Sequence, residues 1–328
     1  MMRKDNSFYN NLILCLKCKK SDFSVSSSQI KCNKCLHYYD VVEGIPILID
    51  ESKNDSSYHL MDKRSPDPNI HEKNSYGIYK FVEKNIKGTS GYLYKNDVLK
   101  KYPIPNIDIN SNNLSRKLFL DIGCGWGRWT ISSAHSTEIS IGVDVSIDSL
   151  ICAKNIAKEL NLNCFFIYAD IRNLPLKKNI IDIAYSYSVF QHLSSQDFFR
   201  SIKSIYSVLG NKGEIHIQIM NKFALRNLFV QLKRNFKKPV NFEVRYHSYK
   251  RLFKPLSRFF KNIKITNCSF FTQARLEDFN YLTTGGKFII LVSLILNSVS
   301  RYLNFLKYLS DNIYVSGKKF DKSKFYIK

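Results

Sequence analysis

Three glycines and a carboxylate crowd into the run Leu118-Phe-Leu-Asp-Ile-Gly-Cys-Gly-Trp-Gly-Arg-Trp-Thr130. Gly123, Gly125 and Gly127 let the backbone turn where other residues are strained, and let it approach a ligand closely. The apolar run ahead of them suits a buried parallel strand. From Arg128 to His135 a helix can begin, with first-turn N–H groups that have no partner within the helix. Strand, glycine turn and helix make the local geometry of a nucleotide-type site. The spacing is not the dinucleotide fingerprint G-x-G-x-x-G, because position 128 is arginine. A glycine turn without a ligand is the alternative for this stretch taken alone.

A second set of reactive residues lies near the start of the chain. Four of the eight cysteines form Cys15-x-x-Cys18 and Cys32-x-x-Cys35, with thirteen residues between the pairs. Two such knuckles suit a closed, tetrahedral four-thiolate zinc site. Unrelated thiols or two disulfides are the alternatives. Residues 1–16 are charged and too poor in apolar length for a signal peptide, so a cytoplasmic location is expected and disulfides are disfavoured.

Further acids stand where strands should end. Ile139-Ser-Ile-Gly-Val-Asp144 reads as a second strand, and its acid follows Gly123 by 21 residues. A carboxylate there can accept both hydroxyls of a ribose. Asp144-x-Ser146 would also cap the next helix, which is the structural alternative. Then come Tyr168-Ala-Asp170-Ile-Arg-Asn-Leu-Pro175 and Ile181-Asp-Ile-Ala-Tyr-Ser-Tyr-Ser-Val-Phe-Gln-His-Leu193. The elements that must position these groups alternate. Strands are expected at 118–122, 139–143, 164–168, 181–186 and 213–220, and helices at 127–135, 147–160 and 196–209. Such alternation argues a parallel sheet covered on both faces, with ligands at the carboxyl ends of its strands.

Asp121-Ile-Gly-Cys-Gly-x-Gly127 resembles motif I of the class I S-adenosylmethionine (SAM) methyltransferases. With Asp144, Asp170 and the 181–193 stretch in family order, the resemblance covers about residues 116–220. It implies a Rossmann-like α/β fold with a seven-stranded, mostly parallel sheet whose last strand is antiparallel, at 311–318. It implies SAM as cofactor, held by Asp121, Gly123, Cys124, Gly125, Gly127, Asp144, Val145, Asp170, Ile171 and Ser186. In the family the acid matching Asp170 holds the adenine amino group, and the residue after it packs on the ring. The 181–193 stretch resembles the type 11 methyltransferases, where His-His often precedes the leucine. Here the pair is Gln191-His192, which leaves His192 as the candidate general base, with His247 as runner-up. The cysteine knuckles together with Tyr39-Asp-Val-Val-Glu-Gly-Ile-Pro-Ile-Leu-Ile49 are similar to the zinc-ribbon family of methyltransferase-activator proteins. Four thiolates close that site, so His37 is read as structural.

The expected organisation is a zinc ribbon at 1–50, a linker and substrate-capping helices at 51–115, and a methyltransferase domain at 116–328. Inside the last lie a basic segment, 222–264, and a helical insertion, 273–310. The chain's 328 residues carry a net charge of +23. The basic segment holds 13 Lys or Arg against Glu243 alone, about half of that excess. Leu225, Leu228, Phe229, Leu232 and Phe236 fall at helical spacing within it, and Phe242 to His247 reads as extended. Residues 286–309 read as one long apolar helix. Its uncharged part, 288–300, is too short to span a bilayer, so core or lid is the first reading and membrane-surface contact the second. Charge of this density favours an anionic acceptor, although a solvated surface or a generally lysine-rich composition would look alike. The function expected is methyl transfer to a small or carrier-linked acceptor such as a sugar, glycan precursor or lipid headgroup. RNA methylation is one alternative. A SAM-binding partner subunit without its own catalysis is another.

Overall fold

The structure is a computed structural model, and it describes residues 5–50, 75–90, 93–95, 101–105, 107, 114–240, 243–272, 274 and 276–320. Much of the expected linker and capping region at 51–115 lies outside them, as does Phe242.

Eleven strands among these residues form one sheet. They are β1 (Phe23–Val25), β2 (Gln29–Cys32), β3 (Tyr38–Val42), β4 (Ile45–Leu48), β5 (Leu118–Ile122), β6 (Ile139–Asp144), β7 (Cys164–Ala169), β8 (Ile181–Tyr187), β9 (Leu209–Met220), β10 (Phe260–Ser269) and β11 (Asn312–Lys319). The order across the sheet is β1-β2-β3-β4-β7-β6-β5-β8-β9-β11-β10. Strands β5 to β9 pair in parallel, and β11 runs antiparallel between β9 and β10. Strands β5 to β11 therefore make the expected seven-stranded order with its antiparallel member.

The other four strands change the expected count. The ribbon's last strand does not stop at the ribbon. It joins the sheet in parallel beside β7, with Ile47 opposite Tyr168 and Leu48 opposite Ala169. The reason is legible locally: Ile45, Pro46 and Leu48 are buried, and only a neighbouring sheet can cover such a strand. Glu43 and Gly44, both with positive φ, make the tight turn that leads into it. Helix α1 (Asn6–Leu12) lies on the same sheet, with Phe8 and Tyr9 set edge-on to Phe165 of β7 at 5.0 and 5.5 Å. Ribbon residues Phe23, Ile30 and Leu48 share one buried cluster with Leu120, Ile141 and Ile167.

The helices flank the sheet as the pattern predicts: α2 (Ser75–Ser90), α3 (Arg128–Ala134), α4 (Ile147–Glu159), α5 (Ser195–Val208), α6 (Leu225–Lys233), α7 (Tyr249–Leu256) and α8 (Thr284–Val299). Three expectations need correction. Residues 286–309 are not one helix, since α8 ends at Val299 and a separate 3-10 turn covers Asn304–Leu309. Residues 243–246 form no strand, and His247 makes only an isolated bridge to Asn221. The amphipathic helix near 225–236 exists, but it is turned inside out. Leu225, Phe229 and Leu232 face solvent, while Asn227 and Gln231 are buried. Their amides explain the inversion. Asn227 Nδ2 donates to the carbonyls of Asn221 and Asp311 at 2.7 and 2.9 Å, and Gln231 Nε2 donates to that of Lys222 at 3.0 Å. Buried backbone carbonyls at the sheet edge demand donors more strongly than the core demands another leucine.

Candidate functional site

The carboxyl ends of β5, β6, β7 and β8 meet on one edge of the sheet, and the chemistry-bearing residues stand there. Strand β5 runs into the three glycines, whose φ values are +68, +52 and +83°. They are not interchangeable. A Cβ on Gly123 would run into Val189 Cγ2, and one on Gly127 would meet Ala153 Cβ at 2.7 Å. A Cβ on Gly125 would meet nothing within 4 Å. Gly123 and Gly127 are thus tight against protein, whereas Gly125 borders open space.

Two carboxylates hold this loop. Asp144 accepts from the Gly125 N–H at 2.8 Å through one oxygen and from the Ser146 N–H at 2.9 Å through the other. It therefore sits under the glycine turn as well as at the start of α4, whose N-cap is Ser146. Asp121 accepts from the N–H and the hydroxyl of Thr130 at 2.8 and 2.7 Å, which ties α3 to β5. Its other oxygen, Oδ1, is buried without a hydrogen-bond partner. Burial lifts the Asp121 carboxyl to about 7, against the pull of the Thr130 hydrogen bonds, and the nearby Asp144 adds to the rise. Burial also raises Asp144, despite its backbone hydrogen bonds. The Cys124 thiol, buried between these acids, is pushed far up. Two acids held against their charge, one with an idle oxygen, fit a cationic ligand that donates hydrogen bonds.

The remaining expected residues are placed less openly. Asp170 is gripped by Arg172, whose Nε lies 3.2 and 3.1 Å from its two oxygens, and it accepts from the Arg172 N–H at 2.7 Å. Ile171 is buried behind it. Ser186 is fully buried and donates to the Ile122 carbonyl at 3.1 Å, so it ties β8 to β5. Val145 is half-buried at the start of the α4 turn. His192 ends a 3-10 turn after β8 and is half-buried. Its neighbour Gln191 is buried, with an unpartnered Oε1. His247 is buried with its ring on Phe198 of α5. Burial, helped by the Arg251 and Arg245 cations, pushes it down to about 4, so it is neutral at pH 7.

Several residues at this edge were not singled out from the sequence. Arg245 donates from its backbone to the Gln191 carbonyl at 2.7 Å and from its guanidinium to the His192 carbonyl at 2.8 Å. The basic segment thereby returns to the turn after β8. Arg128 donates to both oxygens of the buried Asp278 at 2.9 and 3.1 Å, and to the Pro103 carbonyl at 3.1 Å. Tyr94 donates to the same carboxylate at 3.0 Å. This node fastens the segments before β5 and after β10 to the glycine turn. The signal was the arginine that interrupts the dinucleotide fingerprint; its partner, 150 residues away, had none.

The cysteines converge as well. Among the described residues, Cys15, Cys18, Cys32 and Cys35 place their sulfurs within 4.8 Å of one another, the closest pairs at 3.6 Å. Four thiolates around one zinc at ~2.3 Å would stand about 3.8 Å apart, so the set fits that ion. The knuckles repeat one turn. Lys19 and Leu36, each just after a second cysteine, take positive φ, and their N–H groups return to the Cys15 and Cys32 carbonyls. The Tyr39 hydroxyl accepts from the Leu16 N–H at 2.8 Å and shares a hydrogen bond with Cys15 Sγ at 3.3 Å. Burial raises the Cys15 thiol, but that hydrogen bond and the backbone N–H groups outweigh it and bring the thiol to about 7. His37 packs edge-on against Tyr39 and is outside the cluster, as expected.

Residues 119–213 match the family model described as a methyltransferase domain. The match runs from β5 to the start of β9. The chain is 29% identical over 109 residues to an uncharacterized protein of Methanocaldococcus jannaschii, covering 33% of this chain and 43% of that one. It is 28% identical over 128 residues to the ubiquinone biosynthesis O-methyltransferase of Pelagibacter ubique, covering 39% and 51%. The chain thus spans about half the length, or less, of these relatives. Among solved structures, the magnesium protoporphyrin IX methyltransferase of Synechocystis with bound SAH is 15% identical with a TM-score of 0.43, over 63% of this chain and 76% of that one.

Proposed function

We propose that this chain transfers a methyl group from SAM to a small or carrier-linked, anionic acceptor. The observation that carries the reading is the pair of carboxylates, Asp121 buried and Asp144 half-buried, held against their charge beneath an open Gly125. SAM brings a sulfonium and an amino group, and its methyl leaves as an electrophile without covalent help from protein. The glycine turn would admit the methionine portion past Gly125, and the idle Asp121 oxygen would accept from its amino group. Asp144 would take the ribose hydroxyls, and Asp170 with Ile171 would meet the adenine. Ser186 and Val145 support this cradle from strand ends, and Cys124 lines it beneath the turn. With the cofactor fixed, catalysis is chiefly a matter of alignment. His192 is the residue assigned to proton removal, and the Arg245 clamp on its carbonyl would fix its position.

Calorimetric titration with SAM tests the reading. Asp144→Ala should weaken binding by about 10- to 150-fold, the effect of losing charge-assisted hydrogen bonds of roughly 1.5–3 kcal/mol. Unchanged affinity would reject the site. Incubation of cell extract with tritiated-methyl SAM, followed by separation into RNA, lipid, glycan and protein, identifies the acceptor. Label in RNA would replace the small-acceptor reading, and no label despite tight SAM binding would point to a partner subunit.

We also infer one structural zinc in the Cys15, Cys18, Cys32 and Cys35 cluster. Metal analysis should return about one zinc per chain. In the Cys32→Ser variant the metal should be lost, together with protection of the β4–β7 amides in hydrogen exchange, because the ribbon feeds the sheet.

A further inference from the structure

A second surface is built as oddly as the first is orderly. Among the described residues 23 large apolar side chains are exposed, and 16 of them fall in two stretches, seven in 223–240 and nine in 288–308. Scattered singly they would mean little; clustered, they mark an interaction surface. Helix α8 repeats the inversion of α6. It turns Gly286, Ile290 and Ser293 inward, with Ser293 Oγ accepting from the Phe270 N–H at 3.0 Å. Phe288 and Ile295 are left 67% and 62% exposed, with Leu291 between them. Phe229 on α6 is 57% exposed.

The two stretches lie side by side. Asn221, just past the carboxyl end of β9, donates from Nδ2 to the carbonyls of Tyr308 and Ser310 at 2.8 and 2.7 Å. Its own carbonyl accepts from Asn227 of α6. Tyr308 also packs on Tyr249 of α7, with ring centroids 5.0 Å apart. Strand β11 starts here, pairing Asn312 with Met220. The apolar face is therefore rooted at the carboxyl end of β9, on the edge of the sheet that carries the glycine turn.

Its charge is one-sided. No acid occurs from 215 to 242, or from 279 to 310. Lys222, Lys233, Lys237, Lys238 and Arg301 are exposed within these stretches. Lys233 Nζ lies 4.6 Å from the Phe229 ring centroid, and Lys222 Nζ 5.8 Å from that of Phe223, so lysine stems run along the apolar rings. Among the described residues no helix is long and apolar enough to cross a membrane, and α8 has only 16 residues. A surface of this type lies in an interface rather than through it.

We propose that this face docks on an anionic lipid bilayer, α6 and α8 entering the headgroup layer and the lysines meeting lipid phosphates, so that the methyl-transfer edge is presented to the membrane. The charge decides the occupant. A second copy would bring two cationic faces together, which like-charge repulsion opposes. Nucleic acid offers phosphates but no apolar layer for Leu225, Leu291 and Ile295. A bilayer rich in anionic lipid offers both. Docking does not depend on methyl transfer, and SAM titration in the absence of lipid measures that activity's site separately.

Flotation with phosphatidylcholine vesicles, with and without about one-third phosphatidylglycerol, tests it. The full chain should float with the anionic vesicles and bind them at least about tenfold more tightly than the neutral ones. Combining Phe229→Ser, Leu232→Ser, Phe288→Ser and Ile295→Ser should reduce that binding by about tenfold or more, with the circular dichroism spectrum and SAM affinity kept. Reversing Lys233, Lys237 and Lys238 to glutamate should abolish the preference for phosphatidylglycerol. Equal binding to both vesicle types, flotation unchanged by the four serines, or a stable dimer in light scattering that the serines dissociate would each overturn the proposal.

Discussion

The glycine-turn edge and the 222–309 region obey opposite rules, although both border the same ends of the sheet. At the glycine turn, apart from the buried Asp121, residues sit where their type belongs: Gly123 and Gly127 where no Cβ fits, Asp144 under an N–H, the apolar residues of β5 and β6 in the core. In the 222–309 region the same reading finds the helices α6 and α8, with different bounds, but not the faces they bury. Large apolar side chains point outward while Asn227, Gln231 and Ser293 point in. Periodicity reports that a helix has two faces. Which face is buried depends on what the rest of the protein presents, and here it presents backbone groups that need partners.

The sharpest way to break this contrast is on α8 itself. Ile290→Ala, on the buried side, should cost about 2–5 kcal/mol of stability by leaving a cavity. Phe288→Ala, two residues away and larger, should stay within roughly 0.5 kcal/mol in denaturant titration. Equal costs would mean that the outward face is packed in solution after all.

Within the glycine turn a similar pair is expected. Gly123→Ala pushes a methyl into Val189 and strains a positive φ, and should cost roughly 2–4 kcal/mol from overpacking and left-handed backbone together. Gly125→Ala adds only the strain, about 1–2 kcal/mol, so its melting temperature should fall less. Its loss should appear in SAM affinity instead, because its added methyl enters the open side.

His247 offers a pH test of the junction between the two regions. Its folded value of about 4 lies below the ordinary 6.5, so the neutral form is favoured in the native state. The stability this contributes is fully present above 6.5 and is lost as pH falls from 6.5 towards 4. The shift corresponds to about 3 kcal/mol. The raised carboxyls of Asp121 and Asp311 slope the other way, losing stability as pH rises. The quantity to measure is therefore the difference between wild type and His247→Gln, which should change by about that amount across the window and be flat above it.

The smallest effect concerns the site's own charge. With the Asp121 carboxyl near 7 before binding, SAM should displace a fraction of a proton at pH 7, because a cation lowers that value. Titration in buffers of different ionisation enthalpy reads the release directly. Uptake of protons would place the amino group elsewhere.

Much of this protein is legible in its residues taken one after another. Strands β5 to β8, helices α3 to α5, the glycine turn and the paired cysteines all rest on interactions between near neighbours in sequence, where spacing fixes geometry. The place of Asp144, between the glycine turn and the Ser146 cap of α4, was legible because both adjoin the end of one strand. The tertiary structure alone decided the rest. It joined β4 of the ribbon to β7, 116 positions apart between Leu48 and Cys164, because a buried edge needs a partner strand. It brought Asp278 and Tyr94 onto Arg128, and Arg245 onto the turn that carries His192. It turned α6 and α8 outward, because their inward amides and hydroxyls satisfy backbone groups that no local pattern reveals. Local spacing encodes what a segment can form; the hydrogen-bonding demands of distant segments decide which way it faces.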